Sequence, residues 1–156
     1  PAGDGRMIRV QREPFDAGAE TAALTAGRDD VGAVVSFQGV VRRGDGDDAI
    51  RAMTLEHYPG MTERELERIE AEARARWPLQ ATLVIHRYGR MEPGEPIVLV
   101  VCCSRHRQAA FDACAFLMDW LKTQAPFWKL EETADGERWV EAKAADAAAA
   151  ARWREA

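Results

Sequence analysis

Residues 81–88 and 97–104 are two apolar runs rich in Val, Ile and Leu, held apart by Glu92-Pro-Gly-Glu-Pro96. Runs of that length with so little polar alternation belong to strands covered on one or both faces, and the Pro-Gly punctuation makes them neighbours. A sheet built on such a pair needs helices to cover it, and candidates lie on either side. Thr62 and Glu65 have capping-box spacing, and Leu66, Ile69, Ala73 and Trp77 recur at helical intervals until Pro78. Beyond the second strand, Ala110, Cys114, Leu117, Met118 and Leu121 make an apolar stripe over residues 106–122, which Pro126 prevents from running much further.

The remaining segments fill out an α+β arrangement. Residues 7–11 predict a short strand, and Asp16 is placed to N-cap a helix that stops by Gly27. Residues 33–41 are β-rich and are expected to pair with residues 50–58 through the glycine- and acid-rich loop 43–48. Asp135-Gly136 between residues 128–132 and 138–143 predicts a C-terminal β-hairpin. The alanine-rich stretch from residue 144 predicts a terminal helix docked through Trp153. No linker divides the chain, so residues 1–156 are expected to form one domain, with 1–6 a flexible tail and 144–156 the terminal helix. A chain of about this length buries roughly 70% of its unfolded surface, enough for a substantial core.

Composition excludes several function classes. A net charge of −5 leaves no broad basic face for nucleic acid or an anionic membrane. No stretch approaches the roughly 20 apolar residues of a membrane span, and the first residues lack a targeting pattern. Three cysteines, two of them adjacent, match neither a disulfide framework nor zinc-ligand spacing, so a reducing cytoplasm and no metal are expected. Cys102 and Cys103 fall in a strand, where neighbours point to opposite faces, and Cys114 falls on a helical stripe. Buried thiols are inert, which argues against a Cys103–His106 nucleophilic pair. His57 and His86 lie in strand-like segments without ligand partners at useful spacing and read as structural.

Against this acidic background, residues 101–130 hold Arg105, Arg107, Lys122 and Lys129 but only Asp112 and Asp119, a local charge of +2 that leaves −7 for the rest. Lys122-Thr-Gln-Ala-Pro-Phe-Trp-Lys129 contains no acid at all. Each amine can hold phosphate or carboxylate, and a neighbouring like charge or burial readies it for proton transfer. Ser104-Arg105-His106-Arg107 sits where strand gives way to helix, an end already carrying about half a positive charge. Extra cations there suit a bound anion, which the free backbone N–H groups would also welcome. His106 and Lys122 are 16 residues apart on one expected helix, or ~24 Å. A small-molecule pocket is only about 7–10 Å across, so either there are two sites or two chains combine to build one.

The ordered phrases Gly39-Val-Val-Arg42, Leu55-Glu-His-Tyr-Pro-Gly-Met61, Ile85-His-Arg-Tyr-Gly89, His106-Arg107, Leu121-Lys122, Ala125-Pro-Phe-Trp-Lys129 and Arg138-Trp-Val-Glu141 run along most of the chain. Together they resemble the large, catalytic subunit family of molybdopterin synthase. The resemblance implies an α/β hammerhead fold with a mixed or antiparallel sheet, and a homodimer that becomes a heterotetramer with two small ubiquitin-like sulfur-carrier subunits. It further implies a sulfurtransferase that uses carrier thiocarboxylates to convert cyclic pyranopterin monophosphate into the molybdopterin dithiolene, with no metal and no cofactor in that step. By the same resemblance Lys122 and Lys129 are the catalytic pair. Val40, Val41, Arg42, His106, Arg107, Leu130 and Glu131 join the two lysines as substrate-binding positions. Leu130 departs from the family, in which a second basic residue is common. Two other classes stand beside this reading: a non-catalytic binding module for a ubiquitin-like tail, and a phosphate-ligand transferase with its own nucleophile.

Overall fold

A computed structural model describes residues 5–140 and 144–154. The two apolar runs become β4 (Ala81–Arg87) and β6 (Pro96–Ser104), which pair antiparallel with Val84 opposite Val100. They form the middle of a four-stranded sheet. β1 (Arg6–Gln11) lies parallel to β4 at one edge, and β2 (Ala33–Val40) lies antiparallel to β6 at the other.

Both faces of the central strands are covered, which is why their sequences show no polar alternation. On one face Val84, Val98, Val100 and Cys102 pack with α2 (Met61–Arg76) and α3 (Arg107–Gln124) through Leu66, Ile69, Ala113, Phe116 and Leu117. On the other, Leu83, Ile85, Leu99, Val101 and Cys103 pack with Leu24 of α1 (Ala17–Thr25). Adjacent cysteines therefore enter different cores, as the period of two requires. A hydrogen bond with Cys114 and burial push the Cys102 thiol well up, and burial raises Cys103, so neither is a ready nucleophile.

A second sheet carries the order β5 (Gly89–Met91), β3 (Ile50–His57), β7 (Phe127–Thr133), β8 (Gly136–Val140), with every pairing antiparallel. Its own core joins Ile50, Met53, Leu55 and Met91 to Val41. The chain passes directly from β4 in the first sheet to β5 in the second. Gly89 makes that transition at φ +92, and a Cβ there would stand 3.0 Å from the Arg12 guanidinium.

Two expectations are corrected. Residues 33–41 do not form a hairpin with residues 50–58: β2 pairs with β6 in the first sheet, and β3 pairs with β5 and β7 in the second. After a bulge at Gly39–Val40, the Val41 N–H donates to the Glu95 carbonyl and its own carbonyl accepts from Gly94, so the chain leaves the sheet before the loop begins. The capping box at Thr62 and Glu65 also fails. The helix starts earlier, with Gly60 as N-cap and the Glu63 carboxylate accepting from the Gly60 N–H. Thr62 is buried, and its hydroxyl donates to the Tyr58 carbonyl.

The C-terminal hairpin forms as β7 and β8, its predicted extension through residues 141–143 lying outside the described residues. The expected tail likewise lies mostly outside them, although Arg6 already opens β1. α4 (Ala144–Ala151) leads to Trp153, whose ring meets Trp77 and Phe116 edge-on at 5.6 and 5.7 Å and whose indole N–H donates to Asp119 at 2.7 Å. Among the described residues no helix is long and apolar enough to cross a membrane.

Candidate active site

A cavity of about 670 Å³ opens where the two sheets meet. Its construction follows from α3. The apolar stripe of that helix, including Ala113, Leu117 and Leu121, docks on the first sheet, and this fixes the exposed Lys122 in the last turn. Ala125 and Pro126 then end the helix and turn the chain into β7, whose third residue is Lys129. Lys129 stands opposite Leu55 of β3 and Val140 of β8, and all three line the cavity. Thus a helix end from one layer and a strand from another bring both amines to one opening.

Phe37, Gly39 and Val40 of β2 form the facing wall. Gly39 is close-packed, since a Cβ there would lie 2.7 Å from Val98 Cγ1. Asp146 of α4 adds a carboxylate, so among the described residues the lining holds two lysines and one acid. Among the described residues Lys122 makes no hydrogen bond or ion pair, which leaves its charge available to an incoming anion.

His86 also lines this cavity, although its strand position reads as purely structural in the sequence. Its ring stacks on Phe127 with centroids 3.8 Å apart and planes 16° from parallel. Nδ1 lies 2.8 Å from the Arg87 carbonyl, an acceptor, so Nδ1 carries the proton. Burial pushes the imidazole pKa down to about 4, the Lys122 and His57 charges adding to this and the Arg87 hydrogen bond opposing it. His57, by contrast, bonds Thr62 Oγ1 at 3.0 Å and packs against Tyr88, a structural role as expected.

The other predicted positions lie elsewhere. Val41 is buried in the core of the second sheet, and both its main-chain groups are engaged with the 94–95 turn. Arg42 follows it onto the surface. Leu130 and Glu131 continue along β7 outside the cavity lining, and Glu131 accepts from Arg138 at 3.0 Å. His106 is the N-cap of α3 and Arg107 its first residue, both exposed at the far end of the helix from Lys122. Within one chain the structure brings together Val40, Lys122 and Lys129 and leaves the His106–Arg107 cations apart.

An α+β protein with a paired-lysine cavity at the seam of two sheets has the equipment of an enzyme acting on a small anion. The chain belongs to the MoaE protein family, whose model matches residues 10–124. It is 60% identical over 149 residues to a molybdopterin synthase catalytic subunit from Mesorhizobium japonicum, covering 94% of this chain and 92% of that one. It also resembles the solved structure of a molybdopterin biosynthesis MoaE protein from Burkholderia ambifaria, with TM-score 0.82, 52% identity and coverage of 96% and 98%. A complex of subunits 1 and 2 of molybdopterin-converting factor from Helicobacter pylori contains the same fold at TM-score 0.72, with 19% identity and coverage of 86% and 90%.

Proposed function

We infer that this chain is a molybdopterin synthase catalytic subunit. It takes sulfur from the C-terminal thiocarboxylate of a small ubiquitin-like carrier and delivers it to cyclic pyranopterin monophosphate, forming the dithiolene of molybdopterin. The observation that carries this reading is the convergence of Lys122 and Lys129 on one cavity with apolar walls. An extended C-terminal tail can lie along such walls while its terminal anion meets two ammonium groups in a partly desolvated space, where ion pairing is stronger than in water. The same amines are placed to hold the anion and to assist proton transfer as sulfur leaves the carrier.

Two sulfurs enter each product, so two carrier thiocarboxylates are consumed per turnover. The phosphate end of the substrate is assigned to His106 and Arg107, where cations meet the N-terminal dipole of α3. These residues lie a helix length from Lys122, so a second copy of the chain supplies them and the working unit is a homodimer carrying two small subunits. The family resemblance also assigns Val40, Val41, Arg42, Leu130 and Glu131 to substrate binding; of these Val40 lines the cavity with the two lysines. The buried, unpaired thiols of Cys102, Cys103 and Cys114 suit a reducing cytoplasm.

The test combines purified protein, pyranopterin substrate and thiocarboxylated carrier, with the dithiolene product measured directly. Product is expected only when all three are present; its absence with competent reagents sinks the reading. Mixing Lys122→Ala and His106→Ala dimers under proven subunit exchange should restore part of the activity, because one of the two hybrid sites is then intact.

A further inference from the structure

Ile85-His-Arg-Tyr-Gly89 places a charge where the covered end of β4 calls for an apolar residue. Arg87, the last residue of that strand, is only 5% exposed. A buried charge persists only where it is paired and hydrogen-bonded, and apolar residues of similar volume often replace buried ion pairs with no loss of stability. Folding alone therefore does not require a guanidinium here. What an apolar side chain would not supply is a rigid fork of donors aimed at several acceptors at once.

The Arg87 fork reaches two separate stretches of chain. Its Nε–H donates to the Arg12 carbonyl, just past β1, at 3.0 Å. One terminal nitrogen donates to the Pro96 carbonyl at 2.9 Å and to the Glu95 carboxylate at 3.3 Å. The other Glu95 oxygen accepts from the Glu92 N–H at 2.6 Å, and the Glu95 N–H donates to the Glu92 carbonyl at 3.1 Å, so the 92–95 turn is closed on itself. That turn holds the end of β2. The Val41 N–H donates to the Glu95 carbonyl at 2.9 Å, and the Val41 carbonyl accepts from the Gly94 N–H at 2.8 Å. Pro96 is the register partner of Val40, which lines the cavity. Arg42 is the next residue after Val41 and is exposed, so the point from which its side chain sets out is fixed by the turn that Arg87 grips.

We propose that Arg87 is a positioning residue for substrate binding, holding Pro96 and the 92–95 turn so that Val41 is pinned and Arg42 leaves the first sheet in a fixed direction. Its consequence for turnover rests on the substrate-binding role proposed for Arg42, but the hold on Val41 can be measured without turnover.

Hydrogen exchange of the folded wild-type protein at neutral pH should show a slowly exchanging Arg87 Nε–H and protected Val41 and Gly94 amides. Arg87→Lys keeps a charge for Glu95 but loses the fork. It should speed exchange at Val41 and Gly94 about tenfold while Val84 and Val100, paired in the middle of the sheet, stay unchanged. Fast exchange of the Nε–H or of Val41 in the wild type would overturn the proposal even if no variant folds. Unchanged Val41 and Gly94 amides in Arg87→Lys, or equal acceleration at Val84 and Val100, would overturn it as well. In the dithiolene assay, Arg87→Met should raise the pyranopterin KM about tenfold with kcat changed less than about twofold, and Arg87→Lys should raise KM less. In an Arg42→Ala background, Arg87→Met should raise KM less than about threefold, because the residue through which Arg87 acts is gone. An unchanged KM, a loss confined to kcat, or the same rise without Arg42 would each overturn the positioning role. Absence of wild-type turnover, or an Arg42→Ala variant with unchanged KM, would instead remove the substrate-site reading and leave the exchange result standing.

Discussion

The two ends of α3 carry cations for opposite electrostatic reasons. At the C-terminal end Lys122 faces a negative helix pole, so its charge is favourable there before any ligand arrives. At the N-terminal end His106 and Arg107 face a positive pole, with no acidic residue in the first turn and no side-chain cap. Folding alone therefore accounts for Lys122 but not for Arg107. The proposed role of Lys122 rests on the cavity it shares with Lys129, and that of Arg107 on its cost in the absence of an anion.

The sharpest way to break this comparison is to truncate one amine at the cavity. Lys122→Ala is expected to lower dithiolene formation by about 10²–10³-fold, the usual scale for removing one electrostatic group from the reacting centre. Carrier binding, followed by calorimetry, should fall much less, because the apolar walls remain. Comparable product formation by Lys122→Ala would assign the C-terminal cation to helix stability alone.

A second prediction concerns protonation beside that amine. The folded-state pKa of His86, about 4, lies below its unfolded value of 6.5, so between these values the unfolded chain binds the additional proton. Stability contributed by the neutral ring is complete above about pH 6.5 and declines as pH falls toward 4, a difference of roughly 3 kcal/mol at most. Urea unfolding at pH 7 and pH 4.5 measures it. His86→Phe should remove that portion of the pH dependence; an identical dependence in the variant would show that His86 does not remain neutral in the fold.

How much of this was legible in the sequence depended on whether the signal was local. β4 and β6 were legible because two covered faces leave a continuous apolar run, and α3 because its stripe is long and ends at a proline. The partner of β2 was not, since the loop between residues 41 and 49 has the same glycine-rich composition whether it closes a hairpin or carries the chain to another sheet. The start of α2 was misplaced, because Thr62 and Glu65 have capping-box spacing while the helix is capped two residues earlier at Gly60, whose φ of +86 suits glycine. Lys122 and Lys129 stood out through charge contrast with an acidic chain. His86 and Asp146 did not, because the cavity they line exists only after the second sheet and α4 have packed against the first.

The terminal helix tests whether the Lys122 end is held by tertiary packing. Trp153→Ala removes two edge-on aromatic contacts and the indole hydrogen bond to Asp119, a residue three positions before Lys122 in α3. A loss of about 2–3 kcal/mol in chemical unfolding is expected, below the full cost of a deeply buried tryptophan because the ring is only partly covered. A change under 0.5 kcal/mol would mean that α4 contributes little to anchoring this end.

The smallest predicted effect separates stability from function at the other end. Arg107→Glu replaces an unfavourable cation at the first position of α3 with a favourable anion, and each half of that exchange is worth about 0.3–1 kcal/mol. The variant should be more stable by about 1 kcal/mol, with the gain shrinking in high salt as exposed charges are screened. If Arg107 holds the substrate phosphate, the same variant should show a raised KM for pyranopterin, since an attractive contact has become a repulsive one. Greater stability with unchanged KM would return Arg107 to the ordinary surface. Lower stability would show that its guanidinium is already held by a partner chain, because only a satisfied cation at that helix end would be costly to reverse.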